Sequence, residues 1–279
     1  MKALILRRRK LGLGSCKGIR DNSQTGLDFV RNDQLKPDTF VGVDMVFRWG
    51  CTSTVPVNNV VNTAQAIHKI GDKGGFRNDL MMCPETTNLV PKTVFTLDEA
   101  LGMIGEGATL FVPKHHAQGK KVYLASTEEA MVAATHACGD GWYASIFIKK
   151  SAEYRVFVCQ GRVVWVAQKT PGNPDDPAWN VAQGGRFDNT RWDEWPLTVV
   201  DAAIKAFNVS GLDFGGVDVM VDGMGRPYVI EINSAPSQTS PYRQACTAKA
   251  FDHIVENGKA HLGLNEGKMG WRYYIHPSI

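Results

Sequence analysis

The chain has 279 residues, 43% hydrophobic and 21% charged, enough for a large buried core and two or three subdomains. Its net charge of +3 is too mild to imply nucleic acid, and no apolar run reaches the length that spans a bilayer. Six scattered cysteines without a C-x-x-C pair argue against a disulfide framework and a zinc site, so reduced thiols in a cytoplasm are expected.

"KALIL" reads as a short buried strand, and "MKALILRRRK" places its charges after the apolar stretch, the reverse of a secretory signal. The four cations in Leu6 to Lys10 read as solvated surface, with an acidic partner as the alternative. "GLGSCKG" has Lys17 where the third glycine of G-x-G-x-x-G belongs, so a plain loop is expected. "TFVGVDMVFRWG" follows as a strand, then "NTAQAIHKIGDKGGFRNDLM" as a helix, a Gly break and a second helix, then "VPKTVF" as a strand. A capping box from Thr96 to Glu99 starts the next helix.

"TLFVPKHHAQGKKVYLA" gives two strands around a polar loop, a capping box from Ser126 to Glu129 opens a helix, and "WYASIFI" is a strand. "YRVFVCQGRVVWVAQK" is a hairpin around Gln160-Gly161, followed by a polar loop from Thr170 to Phe187 and the helix "LTVVDAAIKAF". Mixed α/β units with several antiparallel hairpins predict an α+β enzyme of several lobes. "NEGKMGWRYYIHPSI" at the end matches no pattern.

The last hairpin, "VDVMVDGMGRPYVIEIN", carries the chemistry. Symmetric pairing about Gly223 to Arg226 sets Asp222 against Pro227 and Asp218 against Glu231. One face then carries Val217, Val219, Val221, Tyr228, Ile230 and Ile232; the other carries Asp218, Met220, Asp222, Val229, Glu231 and Asn233. Like charges directly opposite are destabilising, so a compensating cation is expected. Mg²⁺ takes hard oxygen ligands of this kind, and Asn233 adds a neutral oxygen. The plain alternative is a wet face with solvated acids, and a one-residue slip would separate the pair.

Asp218 followed by Glu231-x-Asn233 and "SAP" resembles the metal-binding end of the ATP-grasp superfamily, and most of all the RimK-type amino-acid ligases. The resemblance runs in order from about Asn59 to Pro241 and fits the start of the chain more loosely. It implies a segmentation into an N-terminal α/β domain (1–62), a central linker (63–107), a small ATP-grasp lobe with a lid loop (108–150), a C-terminal metal- and acceptor-binding lobe (151–260) and a tail (261–279). It also implies that Lys73, Lys114 and Lys169 meet the nucleotide phosphates and that Gln118, Gly119 and Lys120 fold over them. The family's lid loop is usually richer in glycine than "HHAQGKK". Adenine would be read by the backbone of Phe147, Ile148 and Lys149, and ribose by Glu153. Arg155 would contact a phosphate or acyl phosphate, and Asn180 and Arg186 would lie beside the acceptor. Asp218, Glu231 and Asn233 would hold Mg²⁺, with Mn²⁺ as a substitute.

The activity so implied is ATP-dependent joining of a carboxylate to an amine through an acyl phosphate, adding an amino acid to a peptide, protein or small acid. Phosphoryl transfer asks for positioning and charge neutralisation, which lysines, arginines and Mg²⁺ supply. Acyl phosphates hydrolyse readily, so a lid over the site is expected. Relatives of this type often self-associate, which makes a homo-oligomer an expectation. Two alternatives stay open: a kinase on the same scaffold, and a non-catalytic ATP-binding regulatory module.

Overall fold

The computed structural model describes residues 1–10, 12–113, 122–173, 179 and 184–259. Four strands, β1 (Ala3–Arg7), β2 (Asp28–Arg31), β3 (Met45–Trp49) and β4 (Val60–Val61), form a parallel sheet in the order β2-β1-β3-β4. β1 and β3 are buried along their whole length, as expected of the centre of a parallel sheet. The stretch expected to be a loop is instead helix α1 (Leu13–Asn22), entered through Gly12 at φ 75°. Packing decided this: Cys16 and Ile19 are buried in the core beneath β1 and β3, an apolar stripe too short to stand out in sequence.

Helices α2 (Ala64–Gly71) and α3 (Lys73–Met82) follow, and the break between them falls at Asp72 rather than at glycine. Asp72 ends one helix and caps the next by accepting from the Gly75 N–H. The small sheet runs β5-β8-β6-β7, from β5 (Thr93–Val94), β6 (Thr109–Pro113), β7 (Tyr123–Ala125) and β8 (Trp142–Ile146), with α4 (Leu97–Leu101) and α5 (Glu128–Cys138) on it. The Thr96–Glu99 capping box is present. The next cap is Thr127, which accepts from Ala130 N–H, and not Ser126.

The large sheet is antiparallel, β11-β10-β9-β12-β13, from β9 (Lys150–Cys159), β10 (Arg162–Thr170), β11 (Arg186–Thr190), β12 (Phe214–Asp222) and β13 (Pro227–Asn233). Gln160 and Gly161, both at positive φ, make the β9–β10 turn as predicted. The polar loop expected to reach Phe187 gives way at Arg186 to edge strand β11. One face of the sheet packs Val156, Val158, Val163, Val166, Val217 and Val219 against α2, α3 and α6 (Leu197–Ser210). At one end of the other face, Phe157, Trp165 and Phe214 join Phe47, Trp49 and Phe251 in an aromatic cluster that fastens the N-terminal sheet. Phe251 belongs to α7 (Pro241–Asn257), a helix with no counterpart in the sequence reading. No helix among the described residues is long and apolar enough to cross a membrane.

Candidate active site

The polar strip on the large sheet follows from strand pairing. Ala167 on β10, Arg155 on β9, Asp218 on β12 and Glu231 on β13 are successive partners across four strands. Two residues along lie Phe187, Lys169, Glu153 and Met220. Two residues the other way lie Trp165, Phe157, Gly216 and Asn233. Alternation therefore gathers the acids and cations on one face and the valines on the other.

Asp218 faces Glu231 as the symmetric count predicts, but by another route. Near the turn the register is one residue off: Val221 pairs with Pro227, Met220 with Tyr228 and Val219 with Val229. Ile230 is then passed over as a bulge, which restores the Asp218–Glu231 pairing. Val229, assigned above to the polar face, consequently packs in the core with Val217, Val219 and Ile232, while Ile230 and Tyr228 are only half-buried.

The carboxylates are compensated by side-chain cations. Arg155 grips Asp218 through two bonds, Nε to Oδ1 at 2.6 Å and Nη2 to Oδ2 at 2.7 Å. Lys73, the first residue of α3, donates to Glu231 Oε2 at 2.6 Å, and Asn233 Nδ2 donates to Oε1 at 3.0 Å. Burial would raise the Glu231 carboxyl, but Lys73, Asn233 and Arg155 together pull it down to about 2. Burial pushes the Asp218 carboxyl up, with Arg155 pulling against it. Glu153 is clamped between Lys150 and Lys169, each at 2.5 Å.

Lys150 was not among the predicted residues. Ser151 is passed over in the pairing of β9 with β12, and that bulge leaves Lys150 within reach of Glu153, where strict alternation would have put Ser151. Burial lowers the Lys150 ammonium against the opposing pull of Glu153. Its Nζ also lies 4.6 Å from the centre of the Trp179 ring. The Phe187 ring is ringed by Arg155 at 4.6 Å, Lys169 at 5.4 Å and Arg243 at 5.8 Å. Gly216 keeps the strip narrow: a Cβ there would stand 2.9 Å from Pro236 Cβ and 3.4 Å from Arg155 Cδ.

The structure thus brings Lys73, Glu153, Arg155, Lys169, Asp218, Glu231 and Asn233 together. Arg186 stands apart at the edge strand, its side chain 72% exposed and paired with Asp188. Phe147, Ile148 and Lys149 form the connection from β8 to β9 rather than a strand, with the Phe147 N–H donating to Ala108 O. Lys114, Gln118, Gly119, Lys120 and Asn180 lie outside the described residues.

A largely buried strip of paired acids and cations on an antiparallel sheet, in a chain that also carries a smaller α/β sheet, is found in a fold shared with the ATP-grasp ligases. The D-alanine–D-alanine ligase of Bacillus anthracis superposes with a TM-score of 0.67 at 15% identity, over 92% of this chain and 97% of that one. A RiPP-associated ATP-grasp ligase of Chryseobacterium gregarium, solved with ADP and a leader and core peptide, gives 0.63 at 11% identity over 92% and 97%. The macrocyclase MdnC of Microcystis aeruginosa, bound with precursor peptide MdnA, gives 0.61 at 12% identity over 92% and 100%. The RimK-like ATP-grasp domain matches residues 101–254, more than half of the chain, and the chain belongs to that family. No curated protein matches it.

Proposed function

We propose that the protein is an ATP-dependent carboxylate–amine ligase acting on an amino acid or peptide. The observation that carries this reading is the pairing of Asp218 with Glu231, with Asn233 beside them and cations in excess around them. Four cations, Lys73, Lys150, Arg155 and Lys169, pair with three carboxylates, Glu153, Asp218 and Glu231. That surplus of positive charge suits a magnesium nucleotide. The RimK-like family match and the peptide-bound and amino-acid-joining enzymes of the same fold support it further.

The donor set fits Mg²⁺: two carboxylates and an amide are hard oxygen ligands of the kind it takes. When bound, the ion neutralises phosphate charge and polarises the transferring phosphoryl group. The chain's own residues do the rest. Lys150 and Lys169 share Glu153, so one of their charges is free to meet phosphate oxygens. Arg155 spends Nε and Nη2 on Asp218 and keeps Nη1 for an incoming anion. Lys73 holds Glu231 ionised, the form in which it ligates a metal.

The test is to incubate the purified protein with ATP, Mg²⁺ and a panel of amino acids and peptide acceptors. Acceptor-dependent release of ADP and phosphate is expected, and Glu231→Gln should abolish it while leaving the fold intact. A stable phosphorylated product without free phosphate would make it a kinase, and ATP binding without turnover a regulatory module.

A further inference from the structure

Among the described residues, Arg243 is a charged side chain buried without a hydrogen-bond acceptor or a paired carboxylate. Arg243, on the first turn of α7, is only 3% exposed. Its Nε is buried without an acceptor, and no carboxylate among the described residues pairs with its guanidinium. The comparison within the chain is direct. The other buried arginines all donate to main-chain carbonyls: Arg7 to residues 8 and 9, Arg48 to Cys51 and Ser53, Arg77 to Val229 and Ile230. Arg243 instead rests on two rings, 5.5 Å from the centre of Trp165 and 5.8 Å from that of Phe187.

These rings are a fixed floor. Trp165 is fully buried, and its indole N–H donates to Thr247 Oγ1, one turn further along α7, at 3.0 Å. Asp188, whose charge acts on Arg243, already accepts from Thr170 Oγ1 at 2.7 Å and from Arg186 Nε at 3.1 Å. Arg155 shares the Phe187 ring with Arg243 and repels its charge, and Arg155 itself holds both oxygens of Asp218. Arginine cannot discharge itself by losing a proton at any ordinary pH. A buried, unpaired guanidinium beside another is therefore costly until an anion arrives.

We propose that Arg243 is a substrate-binding residue whose guanidinium receives a carboxylate of the molecule being ligated. This rests on the ligase reading above. A planar, two-pronged donor matches a carboxylate, whereas Lys150 and Lys169, compact point charges, gather around Glu153 and Lys73 pairs with Glu231. Arg243 reaches the strip from α7, over Trp165 on one side of the Arg155 row and over Phe187, which it shares with Arg155 and Lys169, on the other. On this reading the substrate carboxylate goes to Arg243 and the nucleotide phosphates are left to Lys150 and Lys169.

The experiment uses the full chain labelled with ¹⁵N-arginine, the Nε–Hε signal of Arg243 being identified by its loss in Arg243→Lys. Sodium acetate, titrated against sodium chloride at equal ionic strength, is expected to move that signal in a saturable way that chloride does not reproduce. Acetate should also raise the melting temperature of the wild type and not that of Arg243→Met. Mg²⁺ with a non-hydrolysable ATP analogue, added alone, should leave the signal in place. Failure of acetate to move it overturns the proposal, as does an equal movement with the magnesium nucleotide alone, which would make Arg243 a phosphate ligand. Movement by acetate in a protein that binds no magnesium nucleotide would remove the ligase reading and keep the carboxylate site.

Discussion

Replacing Arg155 with methionine tests the electrostatic logic of the strip. Arg155 and Asp218 are joined by two bonds of 2.6 and 2.7 Å, and their side chains are only 12% and 6% exposed. Methionine fills much of the volume but strands the Asp218 carboxylate, and losing one partner of such a buried pair costs about 3–5 kcal/mol. For a chain of this size that is a fall in melting temperature of roughly 5–9 °C. The loss carries a pH signature. Without the guanidinium, burial holds the Asp218 carboxyl above its unfolded value, so the folded state binds more protons and stability falls as pH rises. Urea unfolding followed by tryptophan fluorescence should therefore show a larger deficit at pH 8 than at pH 5. Adding Asp218→Asn should return part of the loss, because the stranded charge is gone. A single mutant within about 1 kcal/mol of wild type at pH 8, where the pair should count for at least three, would refute the reasoning. So would a double mutant no more stable than the single one.

Other consequences can be measured separately. The Glu231 carboxyl, held at about 2 against an ordinary 4.5, gives stability that is complete above pH 4.5 and drains away as pH falls toward 2. The contribution is at most about 3 kcal/mol and is reduced by solvent because a quarter of the side chain is exposed; acid titration of Lys73→Met should show most of it missing. Gly216→Ala should push Pro236 and Arg155 off the strip, cost roughly 1–3 kcal/mol in urea midpoint and lower nucleotide turnover more than its stability loss explains. Asn62 sits at φ 66° and is fully buried, and its side chain exchanges bonds with the main chain of Asp213 and Phe214. Asn62→Ala should therefore destabilise by about 3 kcal/mol or more, and Asn62→Gly, which keeps the backbone at ease, by less. Of the six thiols, Cys83 and Cys138 should react first with a chromogenic disulfide, because Cys16, Cys51, Cys159 and Cys246 are buried.

Period-two alternation was enough to place acids on one face of the last hairpin and valines on the other, because side-chain direction in a strand is a local property. The Thr96–Glu99 cap and the Gln160-Gly161 turn were legible for the same reason: each is closed by residues within a few positions of one another. The Asp218–Glu231 pairing was read correctly through a register that is wrong near the turn. The bulge at Ile230 that corrects it depends on the core's demand for Val229, which no short window reveals.

Only the tertiary structure decided the rest. The Gly-rich "GLGSCKG" became helical because β1 and β3 offer a surface for Cys16 and Ile19, and α7 formed over an aromatic cluster assembled from distant segments. Lys150 joined Glu153 through a bulge, Lys73 crossed from α3 to Glu231, and Arg243 came to rest on Trp165 and Phe187. The sequence alone determined which residues carry charge and which way each strand points them. Which charges meet was set by packing between segments up to 158 residues apart, since a buried ion finds its partner in space and not along the chain.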